Sequence, residues 1–248
     1  MYCPYSNLYR NSRFSFASTE DLIGEATRMN SPDNPITVVP KEIKSSNEKI
    51  RENLRIPVLR GSVKPEVINF INSNMSEDIM EFKRQMEEAA DEHAMKAKLA
   101  GRPVVPYDIS NIYSITYNKN GIISISVIYE EILDGKSYYI RATYNYDTNS
   151  GKSLSVLDLF KPGVDAKTLI NSEIMRELRA NPQNYFPGAI KNFKGIADDQ
   201  PFYIDNNNLV LFFGFNEIAP VASQIPAISI PLSRFRTALK PQILRSSD

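Results

Sequence analysis

The chain has 248 residues, with 29 Lys and Arg against 29 Asp and Glu, one His and one Cys. A formal charge of zero excludes a dedicated binder of nucleic acid or of an anionic membrane, because neutralising phosphates takes a surplus of basic groups. A single His and a single Cys exclude, within one chain, the paired-histidine zinc helix, the CxxC redox pair, the four-cysteine zinc ribbon and an internal disulfide.

The N-terminus has neither a basic region nor the apolar stretch of a secretory signal, so no signal peptide is expected. No apolar run approaches the ~20 residues that span a bilayer, so no membrane insertion is expected either. These features predict a soluble chain made in the cytoplasm, or one placed on a spore or cell surface by mother-cell assembly. The first residues carry Tyr2, Tyr5, Tyr9, Phe14 and Phe16, more aromatic surface than a solvated tail tolerates. Such an arm packs on its own domain or docks on a neighbouring subunit. In the second case Tyr2, Cys3, Tyr5 and Tyr9 are the assembly residues, with Cys3 available for an intermolecular disulfide in an oxidising compartment. From Ser31 to Asn53 the composition, with Pro32, Pro35 and Pro40, reads as a linker.

Leu54, Ile56 and Val58 alternate as in a short half-buried strand. Pro65 then opens a long helix in which Val67, Ile71, Met75, Ile79, Phe82, Met86, Ala90, His93 and Ala97 form one buried stripe. Gly101 and Pro103 stop it. Between Asn111 and Tyr146 the period changes to two, in three runs joined by Asn118-Lys119-Asn120-Gly121 and Asp134-Gly135. This predicts an antiparallel meander with one face under the helix and one face wet. After the polar seam Asp147 to Lys152, Asp165 is a candidate N-cap for a second helix ending at Asn181-Pro182. Strands are expected at Phe202 to Ile204, Leu209 to Phe215 and Ile225 to Ile230. The fold class is therefore α+β: antiparallel meander sheets with a long helix and a second, shorter helix packed on them. The expected units are an arm and linker over 1–53, a first α+β domain over 54–148 and a second over 149–248.

The local motifs point to no cofactor and no metal. Gly135-Lys136-Ser137 lacks the earlier glycine of a phosphate loop and sits in a hairpin. Asp147-Thr148-Asn149-Ser150-Gly151 lacks the bidentate Glu that closes a calcium loop and reads as a turn. Glu130 and Glu131 point to opposite faces of a strand, the wrong geometry for an acid/base pair. Asp198-Asp199 reads as loop, and His93 as a helical residue on the buried stripe. No catalytic residues are expected, and the chain is read as not an enzyme.

Two stretches resemble a known family. The first runs from Ile56-Pro57-Val58 through Lys64-Pro65-Glu66-Val67-Ile68-Asn69-Phe70-Ile71-Asn72 to Asp78–Glu92. The second comprises Tyr144-Asn145-Tyr146-Asp147 with Gly151-Lys152, Leu157-Asp158-Leu159-Phe160, Asp199-Gln200-Pro201-Phe202-Tyr203-Ile204, and Glu217-Ile218-Ala219-Pro220 before Ile225-Pro226 and Ile230-Pro231. Together they resemble the paired domains found in the extracytoplasmic region of the lysozyme-sensing anti-sigma factor RsiV and at the start of the peptidoglycan deacetylase PdaC. The resemblance covers roughly residues 54–240. It implies a non-catalytic module of the Gram-positive cell envelope that binds a protein, lysozyme in the RsiV case, or a glycan of the wall. The sigma-binding and transmembrane segments of RsiV-like chains and the deacetylase domain of PdaC-like chains are not in this sequence, so neither of those activities is expected. Gln224 and Ala227 depart from the family's last motif and leave the ligand open. The expected recognition surface is Gln200, Tyr203, Glu217 and Pro220, displayed at the ends of adjacent strands. The alternative is a self-assembling structural protein of a spore or cell surface, joined through residues 1–16.

Overall fold

The computed structural model describes residues 36–214, 217–219 and 227–244, and the backbone of 14–15. The strands are β1 (Phe14–Ser15), β2 (Ile36–Ser46), β3 (Ile50–Gly61), β4 (Tyr107–Lys119), β5 (Ile122–Leu133), β6 (Lys136–Asp147), β7 (Phe202–Ile204), β8 (Asn208–Phe212) and β9 (Ala227–Pro231). The helices are α1 (Pro65–Leu99), α2 (Ala166–Ala180), α3 (Ala189–Asn192) and α4 (Pro241–Leu244). A large sheet has the order β1-β6-β5-β4-β3-β2, and a small one the order β7-β8-β9. All pairings are antiparallel except β3 with β4, which run parallel over Ile50–Asn53 because α1 makes the crossover between them. The α+β class and both principal helices are as the sequence predicts.

The stretch read as a linker is different. Residues 36–46 form a full edge strand in register with 51–61, so the large sheet begins well before Leu54. Prolines did not prevent this because Pro40 faces Pro57. Facing residues in an antiparallel ladder alternate between pairs that exchange hydrogen bonds and pairs that do not. Two facing prolines can share a pair of the second kind, and β2 is an edge strand, where proline is tolerated.

α1 lies on one face of the large sheet and buries Val67, Ile71, Met75, Ile79, Phe82, Met86, Ala90, Ala94 and Ala97 against β3, β5 and β6. Phe82 meets Tyr129 with ring centroids 4.6 Å apart. His93 is half-buried, its ring edge-on to Tyr107 at 5.7 Å. Asn72 pins the helix to β3, accepting from the Leu59 N–H at 2.7 Å and donating to its carbonyl at 3.0 Å. Lys83, outside the buried stripe of α1, reaches Glu52 at 2.8 Å, a carboxylate whose side chain is fully buried. The β4–β5 turn has φ of 56° at Asn120 and 75° at Gly121, and the β5–β6 turn 50° at Asp134 and 73° at Gly135. Those values explain the Asn-Gly and Asp-Gly pairs, since two successive left-handed residues match the twist of the strands they join.

A second core gathers α2, the small sheet and the segments around Val156–Phe160 and Leu232–Leu239. Asp165 caps α2 as expected, accepting from the Thr168 N–H at 3.1 Å. Tyr117 and Ile122 from the first unit also enter this core. The alternation of Tyr113, Ile115 and Tyr117 places all three on one face, but a bulge between Ile115 and Tyr117 shifts the register. One extra residue reverses the side of everything after it. Tyr117 therefore turns to the second core, where its hydroxyl donates to the Gln242 carbonyl at 3.3 Å.

Candidate functional site

The face of the meander expected to be wet is dry along much of its length. Ser114, Thr116, Ser124, Ser126, Arg141, Thr143 and Asn145 are all buried. β7 lies across them and uses their polarity: Asn145 donates to the Phe202 carbonyl at 2.7 Å, and Ser124 Oγ accepts from the Ile204 N–H at 3.3 Å. Arg141, 1% exposed, donates to Ser126 Oγ at 2.8 Å. Its guanidinium stacks 4.9 Å from the Phe212 ring and 5.7 Å from the Tyr203 ring. A small-residue polar face is thus an internal joint, with the hydroxyls and amides satisfying backbone that would otherwise be orphaned. The far end of the face is open. There Arg51 makes a two-point ion pair with Asp108, and Glu130 accepts from Ser110 at 3.2 Å and Tyr139 at 3.0 Å.

Where the two units meet, a groove of about 290 Å³ runs along the edge of β6. Its walls are Thr143–Tyr146 on one side, Ser153–Ser155 and Asp158 on another, and Asp199–Phe202 on the third. Consecutive β6 residues line it, so the groove touches the strand's backbone edge rather than one face. Ser153 pairs with Tyr146 on that edge, and the Leu154 N–H donates to the Asn145 carbonyl at 2.8 Å. Asp158 closes a capping box with Ser155, accepting its N–H at 2.9 Å and its hydroxyl at 3.0 Å, and also takes Lys152 Nζ at 2.5 Å. Partial burial raises the Asp158 carboxyl, but the hydrogen bonds from Lys152 and Ser155 outweigh it and hold the group below the usual carboxylate range. Asp199 is exposed and makes no ion pair among the described residues. The groove can therefore take hydroxyl, amide or cationic groups from a ligand and present backbone to an extended chain. At the small end of ligand-pocket sizes, it fits one ring or a few residues.

The sequence-predicted recognition residues fall at or near this place, in varied roles. Gln200 lines the groove, but its amide is spent inside: Oε1 accepts from the Ala197 N–H at 3.1 Å and Nε2 donates to the Phe212 carbonyl. Tyr203 is half-buried against Phe212 and Arg141, a packing position within β7 rather than a strand-end display. Glu217 is exposed and accepts from the Gly214 N–H at 2.7 Å, closing a turn. Pro220 lies outside the described residues, as do Tyr2, Cys3, Tyr5 and Tyr9. Asp147 Oδ1 accepts from the N–H groups of Asn149 at 2.9 Å and Ser150 at 3.0 Å, which is the turn expected there. Among the described residues no three His, Cys, Asp or Glu side chains gather as metal ligands, and no helix is long and apolar enough to cross a membrane.

One ionisable group stands apart from the groove. Glu131 follows Ile123, Ile125, Val127 and Tyr129 on the helix-facing side of β5, between Ile109 and Tyr138 on the neighbouring strands. It is 3% exposed, and its Oε2 has no hydrogen-bond partner among the described residues. Burial pushes its carboxyl up from 4.5 to about 7.

Comparison with known proteins agrees with this two-part construction. Residues 43–135 match the family model described as Deacetylase PdaC, and residues 157–233 match Protein of unknown function (DUF3298). No curated protein matches the chain. Among solved structures, a DUF3298 family member from Bacteroides fragilis aligns with a TM-score of 0.62 at 13% identity, covering 85% of this chain and 96% of that one. A DUF3298 family protein from Pseudomonas aeruginosa aligns with a TM-score of 0.55 at 18% identity, covering 86% and 97%. At those identities the likeness establishes the shared fold. Residues 43–135 are thus similar to a PdaC domain and residues 157–233 to a DUF3298 domain, in a chain that shares the fold of the two solved DUF3298 structures.

Proposed function

We propose that the protein is a non-catalytic binding module of the cell envelope, recognising a protein of the lysozyme type or a cell-wall glycan through the groove at the β6 edge. The observation that carries this reading is the groove's construction. It lies between the edge of β6, a rigid strand of the large sheet, and the unit built around the small sheet, and offers Ser153, Asp199 and main chain to a visitor. A composition of one His and one Cys supports assigning it recognition rather than catalysis. The match to a model named for a deacetylase concerns the segment that builds the large sheet and α1, and in this reading that segment serves as a scaffold. Placement at a Gram-positive envelope rests on the resemblance of the Tyr144–Ile230 motifs and belongs to the proposal.

The alternative, self-assembly at a spore or cell surface through residues 1–16, has less support. The one part of that arm among the described residues, β1, pairs with β6 of its own chain. The test is light scattering and calorimetry of the purified chain, alone and with lysozyme or a soluble peptidoglycan fragment. A one-to-one complex with either ligand that is weakened by Asp199→Lys supports the reading. Absence of binding to both overturns it, and a large mass for the chain alone favours assembly.

A further inference from the structure

The two halves of α1 grip the sheet unequally. Up to Met86 the buried residues are Val67, Ile71, Met75, Ile79, Phe82 and Met86 itself, whereas beyond it they are Ala90, Ala94 and Ala97. An alanine buries one methyl where the larger side chains bury several carbons, so the second half is held by much less apolar area. Its other ties are the ion pairs Lys49–Asp91 at 2.7 Å and Lys98–Glu48 at 2.8 Å, both exposed, and the edge contact of half-buried His93 with Tyr107. Exposed pairs of this kind add little. At the helix end Met95 and Leu99 are 58% and 83% exposed and contribute almost nothing to the core. A segment with so few buried contacts opens at a fraction of the cost of unfolding the whole chain.

Glu131 lies beneath this weaker half. Phe82 packs on Tyr129 and His93 on Tyr107, so the turns between them pass over Glu131, two residues beyond Tyr129, and over Ile109 opposite it on β4. The ionisable groups around this spot are Lys83, Glu92 and His93 on α1, Tyr107 on β4, Tyr129 on β5 and Tyr138 on β6. Lys83 is committed to Glu52 and Glu87, and Glu92 to Lys96. Arg84, Glu88 and Asp91 on α1, with Asp134 and Lys136 at the β5–β6 turn, are exposed. Burial is what raises the Glu131 carboxyl, and no charge among these groups offsets it. Once ionised, the carboxylate gains water only if the turns above it lift. We infer that Met86–Leu99, the alanine-lined half of α1, is a flap that closes on the sheet while Glu131 is protonated and is released as that carboxyl ionises, baring the Tyr107 and Ile109 surface beneath. The flap is independent of what the β6-edge groove binds.

Amide hydrogen exchange of the full chain tests this, read as protection factors so that the intrinsic pH dependence of exchange drops out. A carboxyl that ionises near 4.5 when uncovered and near 7 when covered raises the opening constant about 30-fold between pH of about 5.5 and 8. Protection in Met86–Leu99 should fall by that factor. At the upper pH it should lie at least about tenfold below that of Val67–Phe82 and be unaffected by urea below the unfolding transition, which marks a local opening. In Glu131→Gln, which keeps His93 and both exposed ion pairs, the fall with pH should vanish. Equal protection and equal urea dependence in the two halves would mean that α1 opens only with the whole protein, and overturns the proposal. Protection in Met86–Leu99 that is constant with pH, or that falls as much in Glu131→Gln, overturns it as well.

Discussion

Replacing Glu131 with Gln should stabilise the protein in neutral and alkaline solution and leave it nearly unchanged in acid. In the unfolded chain the carboxyl ionises near 4.5, whereas between sheet and helix burial holds it protonated up to about 7. As pH rises through that window the unfolded state releases a proton that the folded state keeps, so stability falls; above about 7 the folded group has ionised as well and the loss levels off. The gap corresponds to about 3 kcal/mol, because the carboxyl is 3% exposed and solvent screens it little. Gln fills the same space without the charge, and any cost of its own amide is the same at every pH. Urea denaturation of both proteins at pH about 4.5, 6 and 8.5 should show the difference in unfolding free energy shifting by about 3 kcal/mol in favour of the variant. Parallel stability curves across that range would refute the assignment of Glu131 to a dry site.

Other expectations concern the joints of the fold. Lys83→Met should cost about 3–5 kcal/mol, since it strands the Glu52 carboxylate whose side chain has no exposure, and adding Glu52→Gln should restore most of it. Thermal melts of the two variants measure this. Arg141→Met should lower stability by about 2 kcal/mol through loss of the buried stacking on Phe212, and speed amide exchange in β7 more than in α1. Equal acceleration in both elements would mean that Arg141 does not join the two units. Asp165→Ala should cost about 1 kcal/mol and fray the first turn of α2, visible in the exchange of the Thr168 amide.

Much of the fold was legible because long periodic segments report their own buried face. α1 announced eight of its nine buried positions, and the Asn-Gly and Asp-Gly turns announced the meander. What escaped depended on partners distant in sequence. The β2 segment is polar and proline-containing, and only its register against β3 makes Pro40 harmless. Tyr117 reads as one more alternating residue until a bulge re-aims it. Ser124, Ser126, Thr143 and Asn145 look like solvent-facing residues, since nothing local says that β7 will cover them. The site was legible only as a neighbourhood. Gln200 and Tyr203 were placed near it by motif, but Gln200 braces a turn and Tyr203 packs on Arg141. Asp199 looked like an ordinary loop carboxylate and Asp158 like one member of the Leu157–Phe160 motif, because the groove exists only once Ser153 and Leu154 pair with the end of β6.

Ligand entry at the proposed β6-edge groove can be read from two-dimensional amide spectra of the isotope-labelled chain, titrated with lysozyme or with a soluble peptidoglycan fragment. The expected shifts are concentrated in Thr143–Tyr146, Ser153–Asp158 and Asp199–Phe202, and are lost in Asp199→Lys. Binding that instead perturbs the open end of the sheet around Arg51, Asp108 and Glu130, and survives that substitution, would contradict it.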